Sequence, residues 1–220
     1  MSAFYIKELS DGSEKYQRDF EYYKQASRIS LEQYLNEGGG LGLNLLQKWK
    51  KFSGGLNVKY SNVFGLEVDP QVRRDFRDYL FEVYKMVEKN KSAYVTQKTQ
   101  LLLARVQVEV IAARFFDISS TYDGPGSMFS GDSVNLPSKD LAKMNIKIIS
   151  QNFKTSLFKL ANASEDESVK HSLIAAISAW EFVEEEVVNY RDKSAYLVVY
   201  AIKNKIHKAL DLSNTQHSAN

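Results

Sequence analysis

Cysteine is absent from this 220-residue chain, which removes disulfides, thiol nucleophiles and thiolate metal sites. Proline is scarce, at three residues, fewer than the turn-dense chains of sandwiches and barrels carry. Histidine is limited to His171, His207 and His217, so metal binding and imidazole catalysis have few places to reside. Glu167 and His171 stand four apart, but a di-iron bundle takes Glu-x-x-His on two helices with further carboxylates. Neither HExxH nor GxSxG occurs. No cofactor or metal is expected.

Charge of one sign is also missing. The 29 basic and 27 acidic side chains leave a formal charge of +2, too weak a field to draw nucleic acid or an anionic membrane except at a local patch. No apolar run approaches the roughly 18 residues of a membrane span, and the start, MSAFYIKELSDG, lacks the basic and apolar regions of a signal peptide. The sequence predicts a soluble, cytoplasmic protein, with export lacking a cleavable signal left open. The triplets at Asn90 and Asn162 match the glycosylation pattern but read as chance matches without an entry signal.

What is present is a helix-friendly mix, 44% hydrophobic and 25% charged. The pattern predicts an all-α, single-domain helical bundle of about six or seven helices. Residues 1–12 form a lead, 13–212 the helical domain and 213–220 a disordered tail. A glycine-flanked segment, 38–55, and a long loop, 118–137, interrupt the domain.

The stretch 92–117 is the expected central helix. Val95, Leu102, Val106, Val110 and Ala113 run down one side, and Leu101, Ala104, Val108, Ile111 and Phe115 down another, as in a helix sandwiched between neighbours. Residues 106–110 alternate and are β-branched, which also suits a strand. Length, the lack of glycine or proline, and an i,i+4 pairing of Arg105 with Glu109 favour the helix.

Around it, Tyr16, Phe20, Tyr23, Leu31 and Tyr34 form a tyrosine-rich stripe after an N-cap at Ser13. Asp69 and Pro70 mark a helix start, and Val72, Phe76, Tyr79, Leu80, Val83 and Val87 its buried side. Arg73, Arg74 and Arg77 lie on its wetter side, with Arg74 and Asp78 as a possible pair. Ser138 caps a helix that buries Leu141, Met144, Ile148, Phe153, Leu157 and Leu160. Ser164 with Glu167 reads as a capping box for the next helix, whose stripe is Val169, Leu173, Ile177, Trp180, Val183 or Glu184, and Val187. Glu184, Glu185 and Glu186 read as a solvated edge. A last helix follows with Leu197 or Val198, Ala201 or Ile202, Ile206 and Leu210.

Surplus aromatic surface points to protein–protein interaction, as in an adaptor, an inhibitor or immunity-type partner, or an effector, with no catalytic centre of its own. Tyr22, Tyr23, Trp49 and Phe52 are the candidate partner-binding residues, being of the types that anchor interfaces. Leu43 to Phe52, with Lys48, Lys50 and Lys51 on the far side, also has the form of a peripheral membrane-binding helix. Gly38 to Gly40 with Gly42 lacks the Gly-Lys-Ser/Thr of a phosphate loop. Loop residues Tyr122, Asp123, Phe129 and Asp132 offer binding groups without a calcium-loop pattern.

One hexapeptide, Arg191-Asp192-Lys193-Ser194-Ala195-Tyr196, resembles the motif of helical HEPN ribonucleases, an arginine and polar residue followed by a histidine at a helix start. The resemblance implies RNA cleavage with Arg191 steadying the phosphate. Tyr196 stands where that family has histidine, and tyrosine is a poor base at neutral pH.

Overall fold

The computed structural model describes residues 14–36, 42–56, 70–89, 96–119, 144–189 and 195–215. They form seven helices: α1 (Glu14–Asn36), α2 (Gly42–Gly55), α3 (Pro70–Lys89), α4 (Gln97–Ser119), α5 (Ile146–Ala163), α6 (Glu167–Asn189) and α7 (Tyr196–Thr215). The all-α expectation holds, with no strand among the described residues. Two compact units divide the chain, one holding α1, α2 and α3 to Met86, the other α4 to α7. Expectations placed on the lead 1–12, on Ser13, Asp69, Val95, Ser138, Leu141 and Arg191, on the side chain of Tyr34, and on loop residues Tyr122, Asp123, Phe129 and Asp132 lie outside the described residues.

In the first unit, α2 is amphipathic as its sequence requires. Leu45, Leu46, Trp49 and Phe52 are buried, while Lys50 and Lys51 face solvent. The ring of Phe52 lies 5.4 Å from Phe76 and 6.3 Å from Tyr79, both on α3. Burial pushes the Tyr79 hydroxyl up to about 12, so it stays protonated. At the edge of this apolar seam Asp75, nearly enclosed, accepts from Lys51 at 2.7 Å and from Gln71 at 2.8 Å. Its hydrogen bond and charge raise the Lys51 ammonium above its ordinary 10.5. The last residue of α2, Gly55, has no room for a side chain: a Cβ there would stand 2.6 Å from Cγ2 of Val72.

In the second unit, α4 is the centre, packing against α5 and α7 and touching α6. Residues 106–110 are helical. Leu101, Ala104, Val108, Ile111 and Phe115 are all buried, and from Gln107 to Asp117 only Glu109 and Arg114 retain appreciable exposure. Leu102 is exposed, so the sandwich closes over the last three turns and not the first. Thr96 caps the start, exchanging backbone-to-hydroxyl bonds with Thr99 at 3.1 and 3.2 Å.

Details of the other helices differ from the sequence expectation. Helix α5 begins at Ile146, where the Asn145 side chain caps it by accepting from the Ile148 amide at 3.2 Å. Ile148 is exposed, and Ile146 and Ile149 turn inward instead. Ser164 ends α5, its amide bonding to the Ala161 carbonyl. The N-cap of α6 is Asp166, whose carboxylate accepts from the amides of Ser168 and Val169 at 2.8 and 3.2 Å. A carboxylate at a helix N-terminus also meets the positive end of the helix dipole. The stripe of α6 stands with Val183 as its inward residue. In α7 the buried side is Val199, Tyr200, Lys203, Ile206 and Leu210, leaving Leu197 and Val198 exposed. The helix continues to Thr215, past the expected start of the tail at 213.

Candidate interaction surface

Helix α1 turns through about 100° per residue, which places Tyr22, Ala26 and Ile29 on one face and Phe20, Ser27 and Leu31 on the opposite one. Phe20 is the only one of its described side chains that is buried. Tyr22 is 68% exposed and Ile29 is 51% exposed. Tyr23, at the side of that face and 43% exposed, packs edge-on against Tyr22 with ring centroids 5.2 Å apart. The expected stripe of Tyr16, Phe20, Tyr23 and Leu31 therefore packs chiefly through Phe20, with Tyr16 and Leu31 half-buried. Lys15, Arg18, Glu21, Arg28 and Glu32, all exposed, carry both signs of charge along the apolar outer face. Such a face suits an amphipathic partner: tyrosine contributes large, stiff contact area and the flanking charges set register.

The four candidate partner-binding residues divide. Tyr22 and Tyr23 are at the surface, whereas Trp49 is 8% exposed and Phe52 4%. Both belong to the apolar seam of the first unit, sharing the inward face of α2 with Leu45 and Leu46. The same packing covers the apolar side of 43–52 on which membrane binding would depend, leaving Leu43 exposed.

Tyr196 opens α7 half-buried, while Arg191 is outside the described residues. His207 lies 11 residues further along the same helix, roughly 16 Å from Tyr196. The arginines of α3 do not converge on solvent: Arg77 is buried, Arg73 half-buried, and Arg74 donates to Gln71 at 2.7 Å instead of pairing with Asp78.

Two polar clusters in the second unit escape sequence reading. Arg105 and Glu109 do not pair with each other: Arg105 bridges to Asp211 on α7. Glu109 accepts from Lys203 at 2.6 Å and lies 3.0 Å from Nε2 of His207, both also on α7. Burial alone would raise the Glu109 carboxyl, but Lys203 and His207 overcome it and hold the group well below its ordinary 4.5. An ionised carboxylate only accepts, so the proton of the His207 ring resides on Nε2. Its Nδ1 is buried and has no hydrogen-bond partner. The nitrogen that a general base would turn toward a substrate is thus enclosed. Lys203 is nearly fully buried on the inward side of α7, and its spacing within an apolar stripe gave no warning of this.

The second cluster corrects the reading of Glu184 as a solvated edge. Its carboxylate accepts from Ser150 at 2.5 Å and Lys154 at 2.6 Å, and the Trp180 indole donates to Ser150 at 2.8 Å. Partial burial opposes ionisation, yet these bonds hold the Glu184 carboxyl below 4.5. Ser150 is fully buried, so the cluster joins α5 to α6 and presents no open nucleophile.

Among the described residues no group of three or more His, Cys, Asp or Glu is arranged to hold a metal ion, and no helix is long and apolar enough to cross a membrane. Comparison with protein-family models, with curated proteins and with solved structures finds no match to the chain.

Proposed function

We propose that this chain is a helical protein–protein interaction module, an adaptor, inhibitor or effector without a catalytic centre of its own, which docks its partner on the outer face of α1. The observation that carries the reading is the exposure of Tyr22 and Ile29 on the side of α1 opposite Phe20, the only buried one among its described side chains. Helices depend mostly on tertiary packing of an apolar face, and the outer apolar side chains of α1 are left without it. A partner helix with an apolar seam edged by both signs of charge would supply that packing. The α4–α7 unit has a larger core of its own and cross-helix ion pairs.

The test is capture from the native host on the immobilised chain, with and without nuclease, followed by mass spectrometry. A stoichiometric protein that survives nuclease, and is lost when Ile29→Glu is immobilised, supports the reading. Recovery dominated by RNA, or a partner indifferent to Tyr22 and Ile29, contradicts it.

A further inference from the structure

The outer stripe of α1 is self-complementary. If a second α1 lies antiparallel across a two-fold axis between Gln25 and Ala26, Tyr22 of each copy faces Ile29 of the other. Small Ala26 then sits where the axes cross and the backbones approach most closely. The charges agree with this symmetry: Arg18 comes opposite Gln33 of the second copy, one position from Glu32 on the same edge and within its reach, and the two-fold repeats the Arg18–Glu32 pair. A parallel arrangement would hold Arg18 and Glu32 at different levels, 14 residues apart, and could not pair them. Both charged side chains are exposed, as the arrangement requires.

We infer that the partner of this face is a second copy of the chain, bound antiparallel through Tyr22 and Ile29 with an Arg18–Glu32 pair, repeated by the two-fold, along the edge. The inference rests on the interaction reading above and names its partner. Two tyrosines and an isoleucine fall short of the about 800 Å² per partner of a standard stable interface. The pairing is accordingly weak and reversible, with a dissociation constant on the order of 10–100 μM.

Sedimentation equilibrium of the full chain over about 1–500 μM, a span chosen to bracket that constant, tests it. The wild-type chain shifts from monomer to dimer, and Ile29→Glu stays monomeric with unchanged helix content. Arg18→Glu and Glu32→Arg each weaken association about tenfold, and the two together in one chain restore it. Arg18 and Glu32 are 14 residues, about 21 Å, apart along the helix, so they cannot pair within a chain and restoration can come only from pairing between copies. A monomer at every concentration, a dimer indifferent to Ile29→Glu, or a double reversal no stronger than the singles overturns the proposal. Capture with the same variants separates the two readings: a different protein lost on Ile29→Glu overturns self-pairing alone, whereas neither association nor capture responding removes both.

Discussion

Helices α1 and α6 have the same length, 23 residues, and differ in almost everything that stabilises a helix in a protein. Eight side chains of α6 are buried, and Trp180 joins a hydrogen-bonded chain to Ser150, Glu184 and Lys154. Helix α1 buries Phe20 alone among its described side chains and leaves Tyr22, Tyr23 and Ile29 exposed, with Tyr16 and Leu31 half-buried. At roughly 1.5–3 kcal/mol for each large apolar side chain fully buried, α6 draws far more from its own core than the described side chains of α1 do.

The largest effect expected from breaking the comparison is on the scaffold side. Trp180→Ala removes a fully buried ring that meets Phe153 edge-on at 5.7 Å and takes the indole donor from Ser150. Urea denaturation should register a loss of about 4 kcal/mol. Phe20→Ala, on the helix with one buried residue among its described side chains, should cost less, because fewer buried neighbours surround the cavity it leaves.

Next come the buried charges. Glu109→Leu strands the Lys203 ammonium away from water and is expected to cost about 3 kcal/mol, and adding Lys203→Met should recover most of it. The wild-type pair also sets a pH dependence. Glu109 and Glu184 both titrate below their ordinary 4.5 when folded, so the unfolded chain binds more protons in that range. Their contribution is present above pH 4.5 and is lost as pH falls through the folded values. Thermal melts of Glu184→Gln should therefore decline less steeply below pH 4.5 than those of wild type.

A smaller, steric effect lies where α2 meets α3. Gly55→Ala drives a Cβ against Val72, whose branched side chain has little rotamer freedom, and should cost about 1–2 kcal/mol. Gly54→Ala meets nothing within 4 Å and should be neutral or slightly stabilising. Smallest of all, Tyr22→Ala and Ile29→Ala should each change unfolding free energy by less than about 0.5 kcal/mol while weakening partner capture. A large stability loss at either position would mean that the face is already covered within the chain.

Periodicity made the helices legible: the stripes of α2, α3, α4 and α6 were readable because apolar residues recur at three and four. Side-chain partners were not, because they are set between helices. Arg105 and Glu109, four apart, look like a local pair, yet both reach across to α7, where Lys203 occupies an inward position that reads as apolar. Helix starts failed where two caps competed, as at Ser164 and Asp166, since a serine followed by a glutamate three positions on describes a pattern without saying which oxygen meets which amide. The candidate surface was half legible. Aromatic type marks Tyr22, Tyr23, Trp49 and Phe52 alike, and only packing separates the exposed tyrosines from the buried pair.

Hydrogen exchange as a function of protein concentration tests most directly whether α1 is covered by another chain. Amides of residues 21–33 should gain protection as concentration rises from about 1 to 500 μM, across the expected range of self-association, while those of 169–187 in α6 stay equally protected throughout. Protection in α1 that is the same at every concentration, matching α6 at the lowest, would contradict it, because the helix would then be held by its own chain.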